Sequence, residues 1–132
     1  MSKRSALIID DEPDARSYLS TVLTDHGWTA RTADSANAGL DLARQEPPDV
    51  VLLDVMMPER GGLSTLITLR KDHQLKSVPV VLVTGIQADL TVDFDAFLER
   101  FKAYHPDAYL EKPVTPDELL ATVDKVTTAP DE

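Results

Sequence analysis

Five polar residues stand where hydrophobic runs end: Asp10 and Asp11 after Ala6–Ile9, Asp54 after Val50–Leu53, Thr84 after Val78–Val83, and Lys112 after Ala108–Leu110. Three carboxylates, a hydroxyl and an ammonium in one crevice would bind a divalent cation and a phosphoryl group. Mg²⁺ suits such a set, because it is a hard cation that takes carboxylate, phosphate and water oxygens; Mn²⁺ could substitute. Asp54 is the sharpest of the five. A carboxylate crowded by Asp10 and Asp11 is costly unless a cation offsets the charge, and the cation would also permit Asp54 to act as a nucleophile toward phosphorus. Each residue has an ordinary explanation when taken singly. Acidic residues are favoured just before a helix, Thr favours strands, and most lysines are solvated. Those explanations would have to coincide at every one of these run ends. Lys112 also precedes Pro113, and an X-Pro bond can be cis, making a sharp turn that aims the lysine back across the strand ends.

The elements that must position these residues alternate between short β-branched runs and amphipathic stretches. Ala6–Ile9 reads as a first strand and Pro13–His26 as a first helix, with Gly27 at its end. Ala15, Tyr18, Leu19, Val22 and Leu23 follow the spacing of one buried helix face. Trp28–Thr32 is a short second strand; Ser35 caps a second helix that must end by Pro47-Pro48. Val50–Leu53 is apolar throughout, as expected of a central parallel strand covered on both faces. Gly61-Gly62 opens a third helix carrying Leu63, Leu66, Ile67 and Leu69, and Val78–Val83 is the fourth strand. Ala88–Tyr104 reads as a fourth helix and Ala108–Leu110 as a fifth strand. Thr115-Pro116-Asp117-Glu118 is a capping box that opens a last helix with Leu119, Leu120, Val123 and Val126. Residues 1–127 thus form one (βα)₅ domain, and 128–132 a flexible tail. Strand–helix–strand units make parallel sheets with right-handed crossovers, and five units suit a doubly wound sheet with its ligand edge at the carboxyl ends of the strands.

Composition narrows the function. A formal charge of -10 would repel nucleic acid phosphates, so direct nucleic acid binding is not expected. No apolar run approaches the roughly 20 residues needed to cross a bilayer, and the first residues lack the apolar region of a signal peptide, so a cytoplasmic location is expected. With no cysteine in the chain, disulfides and thiol chemistry are excluded.

From Lys3 to Val126 the chain resembles the receiver domain of two-component response regulators. The matching residues are Asp10-Asp11, Asp54 through Pro58 with Gly61-Gly62 after it, Thr84-Gly85, and Lys112-Pro113. The resemblance implies a flavodoxin-like three-layer sandwich with a parallel sheet in the order 2-1-3-4-5. It implies that Asp54 accepts a phosphoryl group from a phosphohistidine on a sensor histidine kinase or phosphotransfer protein, with Mg²⁺ as cofactor. By the same carry-over, Asp10, Asp11, Asp54 and the backbone carbonyl of Met56 hold the metal, while Thr84 and Lys112 contact the phosphoryl oxygens. Tyr109 takes the place of the family's switch aromatic. Its ring would turn inward as Thr84 moves, repacking the face made by the fourth helix, fifth strand and last helix for a downstream protein or a second copy of the chain.

Two departures from the family pattern carry expectations. The segment from Thr84 to Lys112 is longer than usual, so the fourth helix is expected to be extended, with Val92 and Tyr104 lying off its core stripe as surface for a partner. Met56 and Ile86 occupy positions that tune loss of the phosphoryl group in the family. Both are apolar and unable to orient water by hydrogen bonding, so slow loss is expected. A Mg²⁺-dependent aspartyl-phosphate phosphatase or phosphotransferase is the enzymic alternative, but it would place an acid/base carboxylate where Met56 stands. A nucleotide or flavin module would need a glycine-rich loop after the first strand, where the chain has Asp10-Asp11-Glu12-Pro13. An unphosphorylated docking scaffold is the remaining alternative. The favoured reading is a phospho-acceptor domain rather than a turnover enzyme.

Overall fold

A computed structural model describes residues 4–55, 62–84 and 106–128. Five strands and four helices lie among them: β1 (Ser5–Ile9), α1 (Pro13–Asp25), β2 (Thr29–Ala33), α2 (Ala36–Gln45), β3 (Val50–Asp54), α3 (Gly62–Lys71), β4 (Val80–Thr84), β5 (Ala108–Glu111) and α4 (Pro116–Thr127). The strands form one sheet in the order β2-β1-β3-β4-β5, and every pairing is parallel. The expected fourth helix, Ala88–Tyr104, and Ile86 and Met56 lie outside the described residues.

The sheet has helices on both faces because its strands are apolar on both faces. Along β1, Ala6 and Ile8 point to one side with Leu19, Val22 and Leu23 of α1 and Leu119 and Val123 of α4. Leu7 and Ile9 point to the other with Ala36, Leu40 and Ala43 of α2 and Leu66 and Leu69 of α3. All five residues of β3 are buried, as a central parallel strand requires. Burial of each large aliphatic side chain contributes about 1.5–3 kcal/mol, so these two layers hold the sheet flat against its helices. The result is the three-layer doubly wound sandwich expected from the alternating pattern.

Local signals place the element ends. Pro13 begins α1, and Gly27 beyond its end adopts a φ of 91°, open to glycine at little cost. The Ser35 hydroxyl accepts from the Ala38 N–H at 3.1 Å and caps α2. Thr115 and Glu118 form the reciprocal capping box, at 3.1 and 3.0 Å, that starts α4. At the amino edge of the sheet, Arg70 of α3 donates to the Val78 carbonyl at 2.8 Å and to Asp107 at 2.9 Å. Asp107 in turn accepts from the Val80 N–H at 2.8 Å. These bonds tie the starts of β4 and β5 together and so help set which residues reach the opposite edge.

Several boundaries differ from the sequence expectation. β2 begins at Thr29 rather than Trp28, whose ring is buried under Arg4 with the guanidinium 4.5 Å from the ring centroid. β4 begins at Val80, after Pro79, because a proline has no N–H to give a ladder. Helix α1 stops at Asp25, with His26 as its C-cap. Tyr18, expected on the buried face of α1, is instead 41% exposed.

Candidate functional site

Strand register brings the polar residues to one edge. Ile9 pairs with Leu53, Asp54 with Val83, and Thr84 with Glu111. Asp10 therefore follows β1 beside the Asp54 end of β3, and Lys112 follows β5 beside the Thr84 end of β4. β2, β3, β4 and β5 each end one residue later than expected, so that Asp54 and Thr84 are the last residues of their strands rather than the first beyond them. The Thr84 backbone lies at the predicted edge; its hydroxyl falls outside what the structure describes.

Asp10 and Asp54 are almost wholly buried, at 1% and 4% exposure, and Asp11 beside them is open to solvent. One oxygen from each of the three carboxylates lies within 4.8 Å of the others. The capping explanation for Asp10 and Asp11 does not hold, because the N-cap of α1 is Glu12 and no side chain caps that end. The Asp10 carboxylate is committed inward. Its Oδ1 accepts from the Glu12 N–H at 2.9 Å, and its Oδ2 accepts from the Lys112 ammonium at 3.1 Å. The Asp10 carbonyl accepts from Arg16 Nη1 at 2.7 Å, which fixes the turn from β1 into α1.

Lys112 is not a solvated surface lysine. Its Nζ reaches Asp10, Glu12 at 3.2 Å and Asp54 at 3.9 Å, and the Lys112-Pro113 peptide is cis, as the turn argument expected. Burial pulls its pKa down most strongly of any single influence. The hydrogen bond to Asp10, the charges of Asp54 and Asp10, and the bond to Glu12 together outweigh that burial and hold the ammonium above the ordinary lysine value.

The donor set fits a hard divalent cation. Asp10, Asp11 and Asp54 all offer carboxylate oxygens, and the single Lys112 ammonium, shared with Glu12, leaves this cluster with excess negative charge. A dication would offset that excess. On β5, Tyr109 stands beside Leu82 and is 46% exposed.

Sequence reasoning missed three contributors. Glu12 holds the Lys112 ammonium, Arg16 holds the Asp10 carbonyl, and Tyr18 donates to the Val114 carbonyl at 2.6 Å. Glu12 adjoins the acidic pair and could have been included on charge alone. Arg16 and Tyr18 carry no such signal, because an arginine on a helix reads as surface and a tyrosine in an apolar stripe reads as core.

Comparison with known proteins agrees with this geometry. The family model of the response regulator receiver domain matches residues 6–124. The chain is 37% identical over 120 residues to PilH of Pseudomonas aeruginosa, covering 91% of this chain and 94% of PilH. It is 36% identical over 122 residues to response regulator Rre1 of Synechocystis, covering 90% of this chain and 49% of Rre1, so it spans about half the length of that relative. The structure of the chemotaxis protein CheY4 of Vibrio cholerae superposes with a TM-score of 0.82 at 27% identity, covering 95% of this chain and 99% of CheY4. Fold and edge together define a class: a doubly wound, CheY-like α/β domain with an acidic pocket and one lysine at its carboxyl edge. The chain belongs to the response regulator receiver domain family of two-component signalling. No described helix is long and apolar enough to cross a membrane.

Proposed function

We propose that the chain is a phospho-acceptor in which Asp54 takes a phosphoryl group from a phosphohistidine of a sensor histidine kinase or phosphotransfer protein. The observation that carries this reading is the buried Asp54 carboxylate at the end of the central strand, with Asp10 and Asp11 within 4.8 Å and the Lys112 ammonium at 3.9 Å. A carboxylate oxygen of Asp54 attacks phosphorus, and the bond from phosphorus to the imidazole nitrogen breaks with its electron pair leaving on nitrogen. The Lys112 ammonium, already beside Asp54, takes one phosphoryl oxygen, and the Thr84 hydroxyl takes another. Asp10, Asp11, Asp54 and the Met56 carbonyl are the proposed ligands of Mg²⁺, which when bound offsets charge on the attacking and transferring oxygens.

The half-exposed Tyr109 supports the switch reading, since it suits a resting state whose ring is available to turn inward. Its inward turn, coupled to Thr84, would shift a two-state population and change the surface around β5 and α4 that a downstream protein or second copy engages. Residues 1–127 serve as the acceptor domain, with 128–132 as a tail. Slow loss of phosphate follows from the apolar Met56 and Ile86.

The test is intact mass after incubation with acetyl phosphate, with and without Mg²⁺, for wild type and Asp54→Asn. One added phosphoryl group that requires both Mg²⁺ and Asp54 is expected. No addition to a folded, Mg²⁺-binding wild type would refute acceptance from a small donor. Rapid decay of the phosphorylated form in Mg²⁺ alone would refute the Met56 and Ile86 assignment.

A further inference from the structure

Lys112 sits at the start of a short loop, residues 112–115, that leads from β5 into α4. Its ammonium can serve the acidic pocket only if that loop keeps its place. β5 holds the front of the loop through the Thr84–Glu111 register, and the Thr115–Glu118 capping box holds the back. Between these anchors the Val114 side chain is buried, but the loop flanks a cavity of about 450 Å³ walled by Ala15, Tyr18, Leu19, Val83, Pro113 and Val114. Packing on that side therefore leaves room for the loop to shift.

Tyr18 lines this space. It lies on α1, 96 residues away in sequence, and its hydroxyl donates to the Val114 carbonyl at 2.6 Å. The residue remains 41% exposed, so apolar burial alone does not account for its placement. A phenol that spends its hydroxyl on a distant backbone carbonyl two residues after Lys112 acts as a strut. We infer that Tyr18 is a positioning residue for Lys112, its hydroxyl fixing the 112–115 loop so that the ammonium stays at the Asp10–Asp54 pocket. This inference rests on the phospho-acceptor reading for its kinetic consequence, and on geometry alone for its effect on the loop.

Tyr18→Phe keeps the ring and removes only the hydroxyl. Loss of one such hydrogen bond predicts phosphoryl uptake from acetyl phosphate slower by about 2- to 10-fold. Mg²⁺ affinity is expected to stay unchanged, because Asp10, Asp11 and Asp54 are untouched. In a Lys112→Met background the same substitution is expected to have no further effect on uptake. Amide exchange at Val114 and Thr115 is expected to rise in Tyr18→Phe while exchange in β3 does not. Uptake at the wild-type rate, an equal loss in the Lys112→Met background, or unchanged loop exchange would each overturn the inference. A wild type that takes up no phosphoryl group from acetyl phosphate would refute acceptance from that small donor instead, and the loop exchange would then decide the role of Tyr18 by itself.

Discussion

Replacing Asp54 by asparagine should stabilise the metal-free protein, although it removes the residue on which the proposed function depends. Oxygens of Asp10, Asp11 and Asp54 lie within 4.8 Å of one another, so each pair repels by at least about 3.5 kcal/mol at an effective dielectric of about 20. Asp54 takes part in two such pairs, about 7 kcal/mol of repulsion. The Lys112 ammonium at 3.9 Å returns about 4 kcal/mol on the same basis. Against the Lys112 contact the repulsion is larger by about 3 kcal/mol, and the openness of Asp11 to solvent together with the other contacts of Asp54 brings the balance down to about 1–2 kcal/mol. Asparagine keeps the shape and removes the charge. Thermal unfolding followed by circular dichroism in EDTA should therefore show Asp54→Asn melting above wild type by about 3–8 °C. Saturating Mg²⁺ should reverse or close that gap, because the intact carboxylate set gains about 2.7 kcal/mol at a hundredfold excess over its dissociation constant while the depleted set gains less. An Asp54→Asn variant that melts below wild type in EDTA would refute the reasoning. It would mean that the contacts Asp54 makes at this edge, the one to Lys112 among them, outweigh carboxylate crowding.

Other parts of the fold give further expectations. A methyl group at Gly39 would land on the Ile9 side chain, so Gly39→Ala should lose about 1 kcal/mol or more in urea denaturation despite better helix propensity, and Ile9→Val in the same chain should recover part of the loss. Thr115→Ala removes one half of the α4 capping box and should cost about 1 kcal/mol by the same assay. The hydrogen bond from Arg44 at 2.9 Å, with a second from the Gln74 N–H, holds the Asp72 carboxyl below its ordinary value of 3.8. Asp72 thus contributes stability above that ordinary value and loses it as pH falls through its lowered one. Carbon-detected NMR titration should place Asp72 below its ordinary value of 3.8, and Arg44→Ala should move it upward; an unmoved titration would show that the Arg44 contact does not persist in solution.

The order of elements, the two-faced burial of β3 and the caps of α2 and α4 were all legible along the chain. Each rests on residues close in sequence: an unbroken apolar run, Ser35 three residues before the N–H it accepts, Thr115 three residues before Glu118. The set Asp10, Asp11, Asp54 and Lys112 was legible too, because a parallel sheet sends every strand end to one edge and each of these residues marks such an end. What the chain order could not contain was distance across the fold. Lys112 lies against Asp10 with Glu12 on its ammonium, Arg16 on the Asp10 carbonyl and Tyr18 on the Val114 carbonyl, and neither Arg16 nor Tyr18 has a local signature of such a role. Tyr18 shows the physical reason most clearly. Helical spacing assigns it to the apolar stripe of α1, and only the packing of α1 against the loop before α4 turns its hydroxyl toward the Val114 carbonyl. Local pattern determines which elements form and which faces they bury; contacts between residues about a hundred positions apart decide how the site is aimed.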